Sequence, residues 1–309
     1  ARWHRQRGVA VFEHYFGPRP AGGWLSEGGV SEDALTQLDE MGFAWTASGE
    51  GVWRNSCVKS GLPESDMHAK RALFSPAQID GFTTRVFFRD DGLSDLIGFK
   101  YGDWHADDAV GDFVQHLENI AHFFGEDASR HVVSVILDGE NAWEYYPDNG
   151  HHFLDALYSR LSSHPALNVG TFSRQVTQAA VTSLKRLAAG SWVYGSFSTW
   201  IGSEDKNRGW DLLAMAKHDY DRIVKGGGLS AVQLQQATQQ LAVCEGSDWF
   251  WWFGDYNPTS SVSDFEQLYR DQVRELYRLI GVAPPIQLDM PLSQGRGNVE
   301  NAGTMRRNT

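Results

Sequence analysis

The sequence predicts an α/β protein in which alternating strands and helices build a parallel sheet or barrel, followed by a helical bundle. Three observations carry this. From about residue 24 to 175, short β-prone runs alternate with stretches whose apolar residues recur at helical spacing. One run, HVVSVIL (131–137), is nearly all apolar, as expected of a strand buried on both faces. After about residue 205 only helical patterns remain.

Ser31 is a suitable N-cap, with Glu32 and Asp33 in the first turn and Leu35, Leu38 and Met41 on one face; Gly42 ends that helix. FAWTA (43–47) and TTRVFF (83–88) read as strands. Val110, Phe113, Leu117, Ile120 and Phe124 mark a helix over roughly 106–124, and Phe153, Leu154, Leu157, Tyr158 and Leu161 mark the next. NVGTF (168–172) reads as one more strand. Trp210–Val224, Leu229–Cys244 and Val262–Ile280 are three amphipathic helices separated by breaks that carry Gly or Pro. The domains expected are therefore a partial barrel over 1–205, a bundle over 206–283, and a polar linker or disordered tail over 284–309.

The 309 residues are 41% hydrophobic, enough for a large core. A net charge of −12 argues against nucleic acid or an anionic membrane as partner, since both select clustered Lys and Arg. No run approaches the roughly 20 apolar residues of a membrane span. The opening ARWHRQRGVAVFEHYFGPRPAGG lacks a signal peptide's apolar stretch and reads like the middle of a protein. A cytoplasmic location is expected. Cys57 and Cys244 have no metal-ligand spacing, and a single bridge between them stays open. His151 and His152 are adjacent and point to different faces, a poor arrangement for a shared metal. Neither a metal nor a cofactor is expected: there is no P-loop, no GxGxxG after a strand, no HExxH and no GxSxG.

Twelve tryptophans are an unusual number, and three clusters set them beside acids. The first is GGWLSEGGVSEDAL (22–35), with Glu27 and Trp24. The second is VSVILDGENAWEYY from residue 134, with Asp138, Glu140 and Trp143. The third is CEGSDWFWWFGDYNP (244–258), with Asp248, Trp249 and Trp252. Each has a plain reading: a first-turn acid favoured by a helix dipole, a strand ending in an Asp-Gly turn, or bundle packing with surface acids. Together they fit glycosidic-bond hydrolysis, where one carboxylate attacks or stabilises the anomeric carbon and the other protonates the leaving oxygen. Flat rings suit the apolar faces of sugars. Arg89, at the end of the RVFF strand with Asp90 and Asp91, either lines such a pocket or forms a structural ion pair.

These motifs resemble glycoside hydrolase family 57, the family of α-amylases, amylopullulanases, 4-α-glucanotransferases and branching enzymes. Trp24-Leu25-Ser26-Glu27 matches its third region, Trp-x-x-Glu ahead of a helix. LDGENAWE (137–144) matches its fourth, L-D-G-E-N-P-W-E, with Ala142 in place of Pro. CEGSDWFWW (244–252) resembles its fifth. The resemblance implies an incomplete (β/α)7 barrel followed by helices, and a retaining mechanism on α-glucans. Glu27 would be the nucleophile and Asp138 the general acid/base. Trp24, Arg89, Glu140, Trp143, Asp248, Trp249 and Trp252 would bind substrate, with Glu140 and Asp248 bonding sugar hydroxyls or orienting Asp138. The family's first region, with its His-Gln-Pro, and its second have no counterpart here; RWHRQRG does not match. The resemblance spans roughly 20–285, so an upstream part of the same catalytic domain is expected as partner, beside an oligo- or polysaccharide substrate. A non-catalytic carbohydrate-binding or regulatory fragment on a degenerate hydrolase scaffold is the alternative.

Overall fold

The computed structural model describes residues 2–68, 70–139, 142–255 and 257–295. Glu140 and the end of the expected tail, 296–309, lie outside the described residues. The chain divides into two compact units, one running to Ser196 and the other starting at Phe197.

The first unit contains, in order, α1 (Arg2–Phe16), β1 (Gly22–Gly23), α2 (Glu32–Glu40), β2 (Trp45–Ser48), α3 (Glu50–Ser60), α4 (Glu64–His68), β3 (Ala77–Ile79), β4 (Arg85–Phe88), α5 (Asp91–Phe99), α6 (Ala106–Phe124), α7 (His151–Ser162), α8 (Phe172–Gln178) and β5 (Thr182–Leu184). Five strands form one sheet in the order β1-β2-β4-β3-β5. β1, β2 and β4 run parallel, with Gly22 opposite Trp45 and Trp45 opposite Arg85. The expected α/β class with a mostly parallel sheet is what the structure shows. β3 departs from it, running antiparallel to β4 through the pair Ala77 and Val86 while lying parallel to β5. The reason is length. Only residues 80–84 join β3 to β4, whereas a parallel return needs a crossover of about a dozen residues or more.

Helix α2 begins where the sequence predicts it, whereas the helix expected from Trp210 starts six residues earlier, at Glu204. The Ser31 hydroxyl accepts from the Ala34 N–H at 3.1 Å, capping α2, and Leu35 and Leu38 turn inward to a core with Trp53, Ile79, Val86 and Phe88. Asp39, near the other end of α2, accepts from the Thr83 N–H at 2.9 Å and the Thr84 N–H at 2.6 Å, fixing the entry to β4. A second cluster joins Leu93, Ile97, Val110, Phe113, Phe153 and Leu157 from α5, α6 and α7.

Two expected strands take other forms. Residues 168–170 of NVGTF are exposed and Phe172 already begins α8, because Asn168 and Gly170 leave too little apolar surface to bury. HVVSVIL (131–137) joins no ladder, and only Ser134 in it is fully buried. Its backbone is satisfied outside the sheet: the Val132 N–H donates to the Phe74 carbonyl at 2.9 Å, Ser134 accepts from the Asp90 N–H at 2.9 Å, and the Ile136 N–H donates to Ser94 Oγ at 3.3 Å. Val133, Val135 and Leu137 pack on the α5–α6–α7 cluster.

The second unit is helical: α9 (Glu204–Lys225), α10 (Ala231–Cys244), α11 (Asp248–Trp252) and α12 (Thr259–Ile280). α10 opens with a capping box between Ser230 and Gln233. α12 buries Val262, Glu266, Tyr269, Arg270, Val273, Leu276, Tyr277 and Ile280, a stripe at helical spacing. Within that stripe Arg270 forks onto Glu266 at 2.8 and 2.9 Å and donates to the Leu288 carbonyl at 2.9 Å. This anchors the turn Ile286–Asp289, whose Leu288 is fully buried.

Candidate active site

Because β1, β2 and β4 are parallel, their carboxyl ends share one edge of the sheet, the edge where barrel enzymes collect catalytic groups. Each of these strands is followed there by an acid: Glu27 after β1, Glu50 after β2, and Asp90 and Asp91 after β4.

Glu27 sits in a short 3₁₀ turn, Ser26–Gly28, with φ 53° and ψ 29°. That left-handed conformation costs a non-glycine residue on the order of 1 kcal/mol or more, so the surroundings must impose it. They do so on both sides. Ser48 Oγ, at the end of β2, donates to the Gly28 carbonyl at 2.6 Å. The Trp192 N–H donates to the Glu27 carbonyl at 3.2 Å, and Trp192 Nε1–H donates to Glu27 Oε2 at 2.7 Å. Trp24 meets the Trp192 ring edge to face at 4.9 Å.

Arg89 ties this group to the LDGENAWE motif. Its side chain is 9% exposed, and all three guanidinium nitrogens are engaged: Nε with the Ile136 carbonyl at 2.8 Å, Nη1 with Asp91 at 2.8 Å, and Nη2 with Asp95 at 2.6 Å. The guanidinium also lies over the Trp192 ring, 5.4 Å from its centroid. A continuous path thus runs from Glu27 through Trp192 and Arg89 to Ile136, two residues before Asp138. Asp138 is half-buried and has the parity of Ser134 and Ile136, opposite to Val133, Val135 and Leu137, which face the apolar cluster. Trp143 is half-buried beside Tyr146 and Phe153, with ring centroids 5.5 and 6.2 Å away.

The neighbouring acids are held firmly. Glu50 is buried, which alone would raise its pKa, but ion pairs with Lys70 at 2.8 Å and Arg54 at 2.7 Å hold it below the ordinary carboxylate range. Burial raises Asp91 above that range, against the pull of Arg89. Asp90 caps α5, accepting from the Leu93 N–H at 2.9 Å.

Sequence reasoning missed Trp192. The available signal was the glycine spacing around it, Gly190 and Gly195, together with Gly49. An added Cβ on Gly49 would stand 2.6 Å from Trp192 Cα, so the chain approaches there as only glycine allows. In the helical unit, exposed Asp248 opens α11. Trp249 and Trp252 are half-buried: Trp249 Nε1–H donates to the Val243 carbonyl at 2.9 Å, and Trp252 stacks on Phe265 at 4.7 Å.

Among the described residues no group of three or more His, Cys, Asp or Glu side chains is arranged to hold a metal ion, and no helix is long and apolar enough to cross a membrane. Cys57 and Cys244 are buried free thiols, pushed up to about 11 and about 12 by burial. A surface cavity of about 370 Å³ between α1 and the end of α2 is lined by Gln6, Val9, Glu13, Arg19 and Glu40, and by none of the candidate site residues.

A sequence profile of glycosyl hydrolase family 57 matches residues 4–187. Among solved structures, the fold is similar to a branching enzyme of that family's type from Pyrococcus horikoshii, with a TM-score of 0.63 at 15% identity, covering 96% of this chain and 68% of that one. An α-amylase from Thermotoga maritima gives 0.60 at 14% identity, covering 92% and 68%. A 4-α-glucanotransferase from Thermococcus litoralis gives 0.57 at 16% identity, covering 87% of this chain and 43% of that one.

Proposed function

Since the chain belongs to glycosyl hydrolase family 57, we propose that it acts on α-glucans as a retaining glycoside hydrolase or transglycosylase, with Glu27 as nucleophile and Asp138 as general acid/base. Glu27 attacks the anomeric carbon while the bond to the leaving oxygen breaks and Asp138 delivers its proton to that oxygen. Water, or a sugar hydroxyl in transfer, then attacks the glycosyl ester as Asp138 takes back a proton, and Glu27 departs. Trp24 and Trp143, in the α/β unit, offer ring faces to the glucan; Trp249 and Trp252, in the helical unit, are aromatic surfaces of the same kind. Glu140 bonds sugar hydroxyls or orients Asp138, and Arg89 fixes the groups around Glu27. The chain works together with an upstream part of the same catalytic domain.

The observation that supports this reading best is the strained, doubly held Glu27 at the carboxyl edge of the parallel strands, linked through Trp192 and Arg89 to the segment that carries Asp138. A backbone conformation of this kind is maintained against its cost where a side chain must be aimed.

Product analysis on maltooligosaccharides and pullulan, with proton NMR of the first-formed anomer, tests it. The α-configured product is expected first. Asp138→Asn should lose on the order of 10²–10⁴-fold on natural leaving groups, and far less on activated aryl glycosides that need no proton. Azide should restore turnover of the activated substrates with a retained-configuration product. A β-anomer appearing first, or binding without turnover as the carbohydrate-binding alternative requires, contradicts the proposal.

A further inference from the structure

We propose that Trp192 is the positioning residue of Glu27: its indole N–H fixes and stabilises the ionised carboxylate that attacks the sugar, and Arg89 holds the indole in place. This rests on the reading of Glu27 as nucleophile and adds a residue that the acid-and-aromatic motifs do not contain.

The geometry is specific. Trp192 grips Glu27 at two points, backbone N–H to backbone carbonyl at 3.2 Å and indole N–H to carboxylate at 2.7 Å. The first bond sustains the left-handed turn, and the second sets the rotation of the carboxylate. Indole is a donor without acceptor capacity, so it stabilises the carboxylate more than the carboxylic acid, whose proton it cannot accept. A donor of this kind favours the charged form of its partner. It also leaves the ring no choice of orientation, because Trp24 packs on its edge and Arg89 lies over its face. The cation is itself immobilised by Asp91, Asp95 and the Ile136 carbonyl. Gly49 admits the Trp192 backbone at the end of β2. Every contact that aims the donor is therefore made by residues of the strand-end edge.

The test is the pH profile of kcat/KM on an activated aryl α-glycoside, for wild type and Trp192→Phe in the full-length protein. It is paired with the rate of covalent labelling by a 5-fluoro glycosyl fluoride and peptide mapping of the label. Loss of a hydrogen bond to a charged group predicts a fall of about 10- to 100-fold in kcat/KM and in labelling rate. The acidic limb should move to higher pH by about one unit and the basic limb should stay. Site-specific replacement of Trp192 by 3-benzothienylalanine, which keeps the shape and lacks the N–H, should reproduce the limb shift if the phenylalanine variant proves unstable. A label on Glu27 with an unmoved acidic limb and unchanged labelling rate overturns the role of Trp192 alone. A label that maps elsewhere overturns the assignment of Glu27, and Trp192 with it.

Discussion

At the scale of single residues, the site depends on side chains and backbone that have only one acceptable placement. Glu27 is non-glycine at φ 53°, Trp192 is locked between Trp24 and Arg89, and Gly49 stands where a methyl group would collide with the Trp192 main chain. Gly49 itself has an ordinary extended conformation, φ −83° and ψ 163°, so alanine is forbidden there by space alone. Gly49→Ala should therefore cost about 1–3 kcal/mol in stability by overpacking. It should also lower kcat/KM at least tenfold by displacing the indole from Glu27. Chemical denaturation and steady-state kinetics on the same preparation check both. An alanine variant with wild-type stability and rate shows that the Trp192 backbone can move without consequence. The acid-bearing motifs were legible in the sequence because Trp-x-x-Glu and LDGENAWE are contiguous. Trp192 was not, because it meets Glu27 across 165 positions of chain, a contact created only when residues 190–195 fold back on the end of β2.

At the scale of elements, local patterning predicted α2, α6, α7, α9, α10 and α12 but not α1, α3, α4, α5, α8 or α11, and side-chain caps define several of the starts. Ser31, Ser230 and Asp90 all act as side-chain caps. The larger miss came where apolar content was read as strand pairing. HVVSVIL has the composition of a buried strand but gives its backbone bonds to Phe74, Asp90, Ser94 and Arg89; no period in the sequence reveals which partner a backbone amide finds. The carboxylate that joins α2 to β4 shows what such non-sheet bonding contributes. Burial alone would raise Asp39, but bonds from Thr84 and Thr83 hold it below the ordinary range. A folded pKa below the unfolded value means that its stabilisation is complete above about pH 4, where the unfolded carboxylate is ionised, and is lost as pH falls through the folded value. Asp39→Ala leaves the buried Thr84 N–H without this acceptor and should cost about 1–3 kcal/mol near neutrality. The gap to wild type should close as pH drops below about 4. Urea midpoints measured from pH 7 to pH 3 check this, and a gap that widens with acid contradicts the sign.

At the scale of the whole molecule, the chain comprises an α/β unit with a mostly parallel sheet and a helical unit with its own core. The family profile matches residues 4–187, while the fold likeness to the branching enzyme and the α-amylase extends over 96% and 92% of the chain. The class and order of the two units were legible because periodicity changes abruptly from alternating to purely helical after about residue 205. The antiparallel turn of β3 was not, since it is decided by the five-residue link to β4 and not by composition. The central claim, that Glu27 forms a covalent bond to the sugar, is tested most directly by trapping that bond. The protein is incubated with 5-fluoro-α-D-glucosyl fluoride, digested, and the labelled peptide sequenced by mass spectrometry. The account predicts one glycosyl label per chain, on Glu27 within GGWLSEGG, and none in Glu27→Gln. A label on any other carboxylate, Glu50 or Asp91 included, or full labelling of Glu27→Gln, would contradict it.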